Sequence, residues 1–155
     1  MEYSGKVLPY MHNYGDFHDG VLEGVWMDGN IVFLFLSTRM SERFVVLCDD
    51  VSALCVTDFR KGNLIFEVVT RSCDEVTLDD MRSLHYLKEG EEGNTQAAKL
   101  LSKTRQERLS ILEINPSYGA TCLLLARSIE VIGRNEWSSR YLSSGLSGPS
   151  PSARE

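Results

Sequence analysis

The sequence is poor in the features that membrane insertion, metal binding and enzymatic chemistry usually require. Its longest unbroken apolar run, Ile31 to Leu36, is bounded by Asn30 and Ser37, and falls far short of the roughly 20 residues a membrane helix needs. The N-terminus carries Glu2 and no apolar stretch ahead of a small-residue cleavage site, so it does not read as a secretory signal. A cytoplasmic protein is expected. Only four cysteines occur, Cys48, Cys55, Cys73 and Cys122, and none forms a Cys-x-x-Cys pair, which argues against a zinc ribbon or a thioredoxin-like motif. Three of them lie in apolar runs and read as reduced, buried small hydrophobes. Cys73, in a polar stretch, is the one suited to exposure.

Positive charge is also scarce. Sixteen Lys and Arg face 22 Asp and Glu, for a net charge of −6. That balance disfavours nucleic-acid binding, which depends on basic side chains neutralising phosphates. No P-loop, Gly-x-Gly-x-x-Gly or Gly-x-Ser-x-Gly occurs; the nearest approach, Ser144-Gly-Leu-Ser147-Gly, falls in a Ser-rich tail. With three histidines and no nucleophile beside a base, the expectation is a protein without catalysis and without a cofactor.

What is present is a core. At 155 residues and 43% hydrophobic composition the chain can close one ordinary domain. Its first half is a series of short β-branched and aromatic runs punctuated by turns, namely Val21 to Met27, Ile31 to Leu36, Arg43 to Cys48, Val51 to Val56 and Asn63 to Thr70. Asp28-Gly29 suits a hairpin turn between the first two. Ile31 to Leu36 is apolar at both parities and so should be buried on both faces. Trp26 reads as core. Asn94 to Arg108 has an N-cap candidate and Ala97, Leu100, Leu101 and Thr104 on one face, and reads as an amphipathic helix. Leu109 to Ile114 returns to strand chemistry. Ala120 to Val131 fits a strand by its Thr, Ile and Val content, though its Leu and Ala leave a helical reading open.

The expected fold is therefore α+β: a mainly antiparallel meander of about six to eight strands with one packed amphipathic helix. The domain should span residues 1–133. The Ser/Gly/Pro-rich segment 134–155 reads as a flexible tail onto which Trp137 and Tyr141 could still dock.

Charge is unevenly placed. Residues 1–93 hold 17 acidic and 8 basic side chains, whereas 94–155 hold 5 and 8. Between Asp74 and Glu92, the carboxylates of Asp74, Glu75, Asp79, Asp80, Glu89, Glu91 and Glu92 meet only Arg82 and Lys88. The plain reading is a solvated loop; the functional one is a docking surface for a basic protein, with Tyr86 supplying an aromatic anchor. A second polar cluster, His12, Asp16, His18 and Asp19, has metal-capable side chains but no helical spacing to preorganise them. A metal-dependent enzyme would require these four to converge with a distant group such as His85, which otherwise reads as a half-buried sheet or loop residue.

Three motifs in order, Phe17-His18-Asp19, then Asp58-Phe-Arg-Lys-Gly-Asn63-Leu-Ile-Phe66, then Pro116-Ser-Tyr118-Gly119-Ala120, resemble a set of small bacterial proteins with a Phe-His-Asp signature. That set includes polymorphic-toxin immunity families, and the similarity spans roughly residues 17–132. The resemblance implies a compact, mostly β domain that binds and blocks a cognate toxin. Phe17, His18, Asp19, Asn63, Tyr118 and Gly119 carry it, and in these motifs Asp19 and Asn63 also suit turn capping. The expected function is an immunity-type binding protein with a basic toxin as partner and no nucleic-acid or membrane partner. The alternative is a structural module that self-associates as a homodimer, since an open sheet edge can pair with a copy of itself.

Overall fold

A computed structural model describes residues 15–142. Eight strands form one antiparallel sheet: β1 (Val21–Asp28), β2 (Ile31–Ser37), β3 (Arg43–Asp49), β4 (Ala53–Thr57), β5 (Asn63–Arg71), β6 (Ser110–Tyr118), β7 (Thr121–Ala126) and β8 (Ser128–Gly133). Three helices accompany them: α1 (Leu78–His85), α2 (Glu91–Gln106) and α3 (Arg134–Tyr141). The fold is α+β and β-rich, with an antiparallel sheet as the sequence leads one to expect. The helix content exceeds the single helix expected.

The sheet runs β4-β7-β6-β5-β1-β2-β3-β8 and is folded over on itself. Two four-stranded halves, β1-β2-β3-β8 and β4-β7-β6-β5, face each other across a shared interior. At one corner the halves are joined by pairing of Val21 and Leu22 with Leu64 and Asn63. At the opposite corner the chain passes from half to half twice, from β3 to β4 and from β7 to β8. The ladder barely breaks there: Asp49 pairs with Ser128 and Ala53 with Leu125, so residues 50–52 oppose only Ala126 and Arg127. The extra residue bends the strand, as a bulge does, with Asp50 at φ 51°. Arg127 Nε donates to Asp50 Oδ2 at 2.7 Å across the bend.

Strand alternation then decides three cores. Leu22, Val32, Leu34, Leu36, Phe44, Val46, Ile65, Val68, Leu112, Ile114, Cys122, Leu124, Ile129 and Val131 point into the shared interior. On the outside of β1-β2-β3-β8, Phe33, Val45, Leu47 and Ile132 pack under Trp137 of α3. On the outside of the other half, Ile111, Leu123 and Leu125 pack under Met81, Leu84, Ala97 and Leu101 of α1 and α2. This explains why Ile31 to Leu36 is apolar at both parities: β2 feeds the interior with one face and α3 with the other.

Several local expectations are corrected. The β1–β2 turn is Gly29-Asn30, with Asp28 paired to Ile31, and Gly29 supplies the one positive φ at its first position. Ala120 to Val131 is strand from Thr121 on, as its Thr, Ile and Val content favoured, but as two strands, β7 and β8, split at Arg127. The boundary expected at residue 133 does not end the ordered chain, because α3 follows β8 directly and buries Trp137. The rest of that segment, beyond residue 142, lies outside the described residues. Trp26 is not core but 44% exposed, lying on the outer face against Phe33 and Trp137.

Candidate functional site

Much of the acidic segment is helical: α1 and the start of α2 lie within it, joined by a turn over residues 86–90. Thr77 caps α1: its hydroxyl accepts from Asp80 N–H, and the Asp80 carboxylate accepts from Thr77 N–H at 2.7 Å. This reciprocal pair is a capping box. It could have been found in the sequence as Thr77-x-x-Asp80 ahead of Met81 and Leu84. α2 begins at Glu91, three residues before the expected start, so that Glu91 and Glu92 sit in its first turn and favour the positive end of its dipole. Gly93 makes the α1–α2 junction feasible, since a Cβ there would stand 1.8 Å from the Lys88 carbonyl oxygen.

The seven carboxylates do not act as one surface. Asp80 is structural: the Arg71 guanidinium grips it with bonds of 2.7 and 2.8 Å and also reaches Glu113 at 3.1 Å. Partial burial pushes the Asp80 carboxyl upward, but Arg71 and Thr77 overcome this and hold it below the usual carboxylate range. Glu75 turns back to accept from Ser72 N–H. Asp74 is exposed in the short 3-10 turn Cys73–Glu75. Asp79 is exposed and pairs with Arg82, whose other arm donates to Asn94 Oδ1. Glu89, Glu91 and Glu92 are exposed around the α1–α2 turn.

Tyr86 stands in the middle of this acidic shoulder. It terminates α1 in the left-handed conformation, φ 51° and ψ 42°, and its side chain is 73% exposed. Its hydroxyl accepts from the Cys55 thiol of β4 at 3.5 Å. Beside it lies an open groove of about 590 Å³ lined by Cys55, Thr57, Tyr86, Leu87, Thr121 and Leu123, with Arg82, Lys88 and Glu89 at its margin. Cys55 is thus half-buried in a groove wall and not in the core, unlike Cys48 and Cys122. Burial pushes the Cys122 thiol up to about 12, which keeps it un-ionised and unreactive. Cys73 is half-buried.

The three motifs converge at one end of the folded sheet, around Asn63. The Asn63 side chain is buried; its Oδ1 accepts from Arg60 N–H and Ala120 N–H, and its Nδ2 donates to the carbonyls of Leu22 and Arg60. Gly119 must be glycine to allow this: its φ is 87°, and a Cβ would come within 2.5 Å of Asn63 Oδ1. Phe17 is fully buried against Phe44. Asp19 takes φ 61° at the turn into β1 and its N–H bonds the Ile65 carbonyl. Phe17, Asn63 and Gly119 are therefore architectural.

His18 and Tyr118 are different, because both face outward. His18 Nδ1 lies 2.7 Å from the Phe66 carbonyl, which can only accept, so Nδ1 carries the proton and Nε2 faces Asp19 at 3.8 Å. Its ring meets Phe66 edge-on. Leu64 pairs with Tyr118 across β5 and β6, and Arg60 lies over the Tyr118 ring. Leu64, Phe66 and Tyr118 are all exposed and make an apolar strip.

Of the metal-capable set, His12 lies outside the described residues, and His85 ends α1 in the helical layer and not in a sheet or loop. Among the described residues no three His, Cys, Asp or Glu side chains converge to hold an ion, and no helix is long and apolar enough to cross a membrane. Compared with known proteins, the chain matches no family model, no curated protein and no solved structure.

Proposed function

We propose that this protein is a cytosolic, non-catalytic binding protein of the immunity type, which docks a basic toxin with its α1–α2 shoulder and occludes it. The observation that carries the reading is Tyr86: a large aromatic side chain held out of the core by a left-handed helix end, beside a groove and among exposed carboxylates. Interfaces concentrate their energy in such anchors. The carboxylates Asp79, Glu89, Glu91 and Glu92 would speed encounter with a basic partner. Asp80 and Glu75 take no part, since both are engaged in holding α1 and the turn before it. The motif resemblance supports the same class of function through the fold it implies.

The test is co-expression with the product of the neighbouring gene, followed by association kinetics. Wild-type protein should protect cells from that product. The combined substitution Asp79→Asn, Glu89→Gln, Glu91→Gln and Glu92→Gln should slow association about tenfold and flatten its salt dependence, with folding stability changed by less than about 1 kcal/mol. Absence of protection removes the immunity reading. A second reading, self-association, is favoured by the Leu64, Phe66 and Tyr118 strip; sedimentation across concentrations that shows a dimer abolished by Phe66→Asp would establish it.

A further inference from the structure

The two ends of the sheet ladder are unequally defended. β8 carries Glu130, which is clasped by Arg140 of α3 at 3.5 Å, and that helix follows it immediately. β4, Ala53-Leu-Cys-Val-Thr57, contains no charge, no proline and no glycine, and among the described residues it pairs with β7 alone. Proteins usually blunt such an edge with Lys, Pro or a bulge, because its free N–H and C=O groups template another strand. The outward side chains of this strand, Cys55 and Thr57, form the wall of the Tyr86 groove. The charged side chains that line the groove are Arg82, Lys88 and Glu89; Arg82 is occupied by Asp79 and Asn94, and Asp79, Glu91 and Glu92 are exposed in the first turns of α1 and α2.

We propose that β4 accepts an extended segment of a partner protein as an added strand, and that this segment alternates apolar and basic residues. The inference rests on the reading of this shoulder as the docking side and specifies how the partner is held. Main-chain bonds to the β4 edge would supply register, one apolar side chain would enter the groove against Tyr86 and Leu87, and flanking Lys or Arg would meet the carboxylates. A globular patch docking by charge alone would leave the β4 edge in water.

The probe is a fluorescein-labelled decapeptide of alternating Lys and Val, tested on the full chain by anisotropy and by amide exchange. Controls are a Glu-Val decapeptide and the Lys-Val peptide N-methylated at alternate residues, which keeps charge but removes the donors of one strand edge. The expected result is binding by Lys-Val, at least tenfold weaker binding by the N-methylated form, none by Glu-Val, and exchange slowed about tenfold or more within 53–57. Thr57→Lys, at an exposed position, should weaken binding at least tenfold with its unfolding midpoint unchanged. Equal binding of the N-methylated peptide, or protection at residues 129–133 or on the Leu64–Tyr118 strip instead, overturns the proposal. So does protection of 53–57 without peptide that rises with protein concentration, which would identify a second copy as the occupant. If Lys-Val fails at β4 while the four-amide variant still slows docking of the neighbouring gene's product, strand addition falls and the acidic-shoulder reading stands. If β4 is protected by the peptide but no product is neutralised, the immunity reading falls alone.

Discussion

The two halves of the folded sheet cover their outer faces differently. On β1-β2-β3-β8, α3 lays Trp137 and Tyr141 on Phe33 and places the Arg134 guanidinium 4.4 Å from the Phe35 ring centroid. On β4-β7-β6-β5, α1 and α2 cover Ile111, Leu123 and Leu125, but the end of the face bearing Leu64, Phe66 and Tyr118 stays open, and so does the groove beside Tyr86. Cover is incomplete on both halves: α3, with Trp137 and Tyr141, leaves Trp26 44% exposed beside its aromatic cluster, and α1 and α2 leave Leu64, Phe66 and Tyr118 exposed. Three exposed apolar side chains stand together on the outer face of one half against a single exposed Trp26 on that of the other, and contiguous exposed apolar area is what sets an interaction surface apart from scattered surface hydrophobics.

The sharpest way to break this comparison is to remove an anchor from each side. Trp137→Ala should cost about 3–5 kcal/mol in denaturant unfolding, whereas Phe66→Ala, half-exposed, should cost less than about 1 kcal/mol. Equal losses would mean that the strip is core. Trp137→Phe should be milder than its size change suggests, since Trp137 Nε1 is buried without a partner among the described residues. Next in size, Asn63→Ala should cost about 2–3 kcal/mol by orphaning four backbone groups at once. Gly119→Ala should cost about 1–3 kcal/mol through strain at its positive φ and against Asn63. Neither change should alter the groove, which is checked by Lys-Val peptide binding.

Asp80→Asn should cost about 1–2 kcal/mol at neutral pH, discounted for its partial exposure. Because the folded-state carboxyl titrates below its ordinary value of 3.8, this contribution is fully present above that value. It is lost as pH falls through the folded-state pKa, so the stability gap between Asp80→Asn and wild type should close in strong acid. The smallest effect concerns His85, whose pKa burial lowers from the ordinary 6.5. The unfolded chain then binds the proton first, so wild-type stability should dip slightly as pH drops below that value, and His85→Gln should remove the dip.

The sheet was legible in the sequence because each strand is short, β-branched and bounded by turn residues. The two-sided burial of Ile31 to Leu36 was readable from composition alone. α1 was missed because the count of carboxylates in Asp74 to Glu92 hid the capping box that Asp80 makes with Thr77. The helix beyond residue 133 was hidden because serine and arginine fill half of α3, and its packing rests on the two aromatics Trp137 and Tyr141 with Arg134 over Phe35. The convergence of the three motifs on Asn63 is a tertiary event between residues 41 and 57 positions apart. No local pattern announces it, although the order of the motifs along the chain left a trace. The groove is likewise invisible, since Cys55, Tyr86 and Thr121 meet only after the corner has formed.

That corner sets a timetable. The strand pairs that carry the chain from one half to the other join Phe44 to Gly133 and Thr57 to Thr121, separations at which loop closure is slow. On a ribosome, β3 can pair with β2 at once, but its other edge and the β7-facing edge of β4 must wait until β7 and β8 have left the exit tunnel. Until then the chain holds a half-sheet with an open edge, and the strands that finish it, β7 and β8, are the last of the eight to be made.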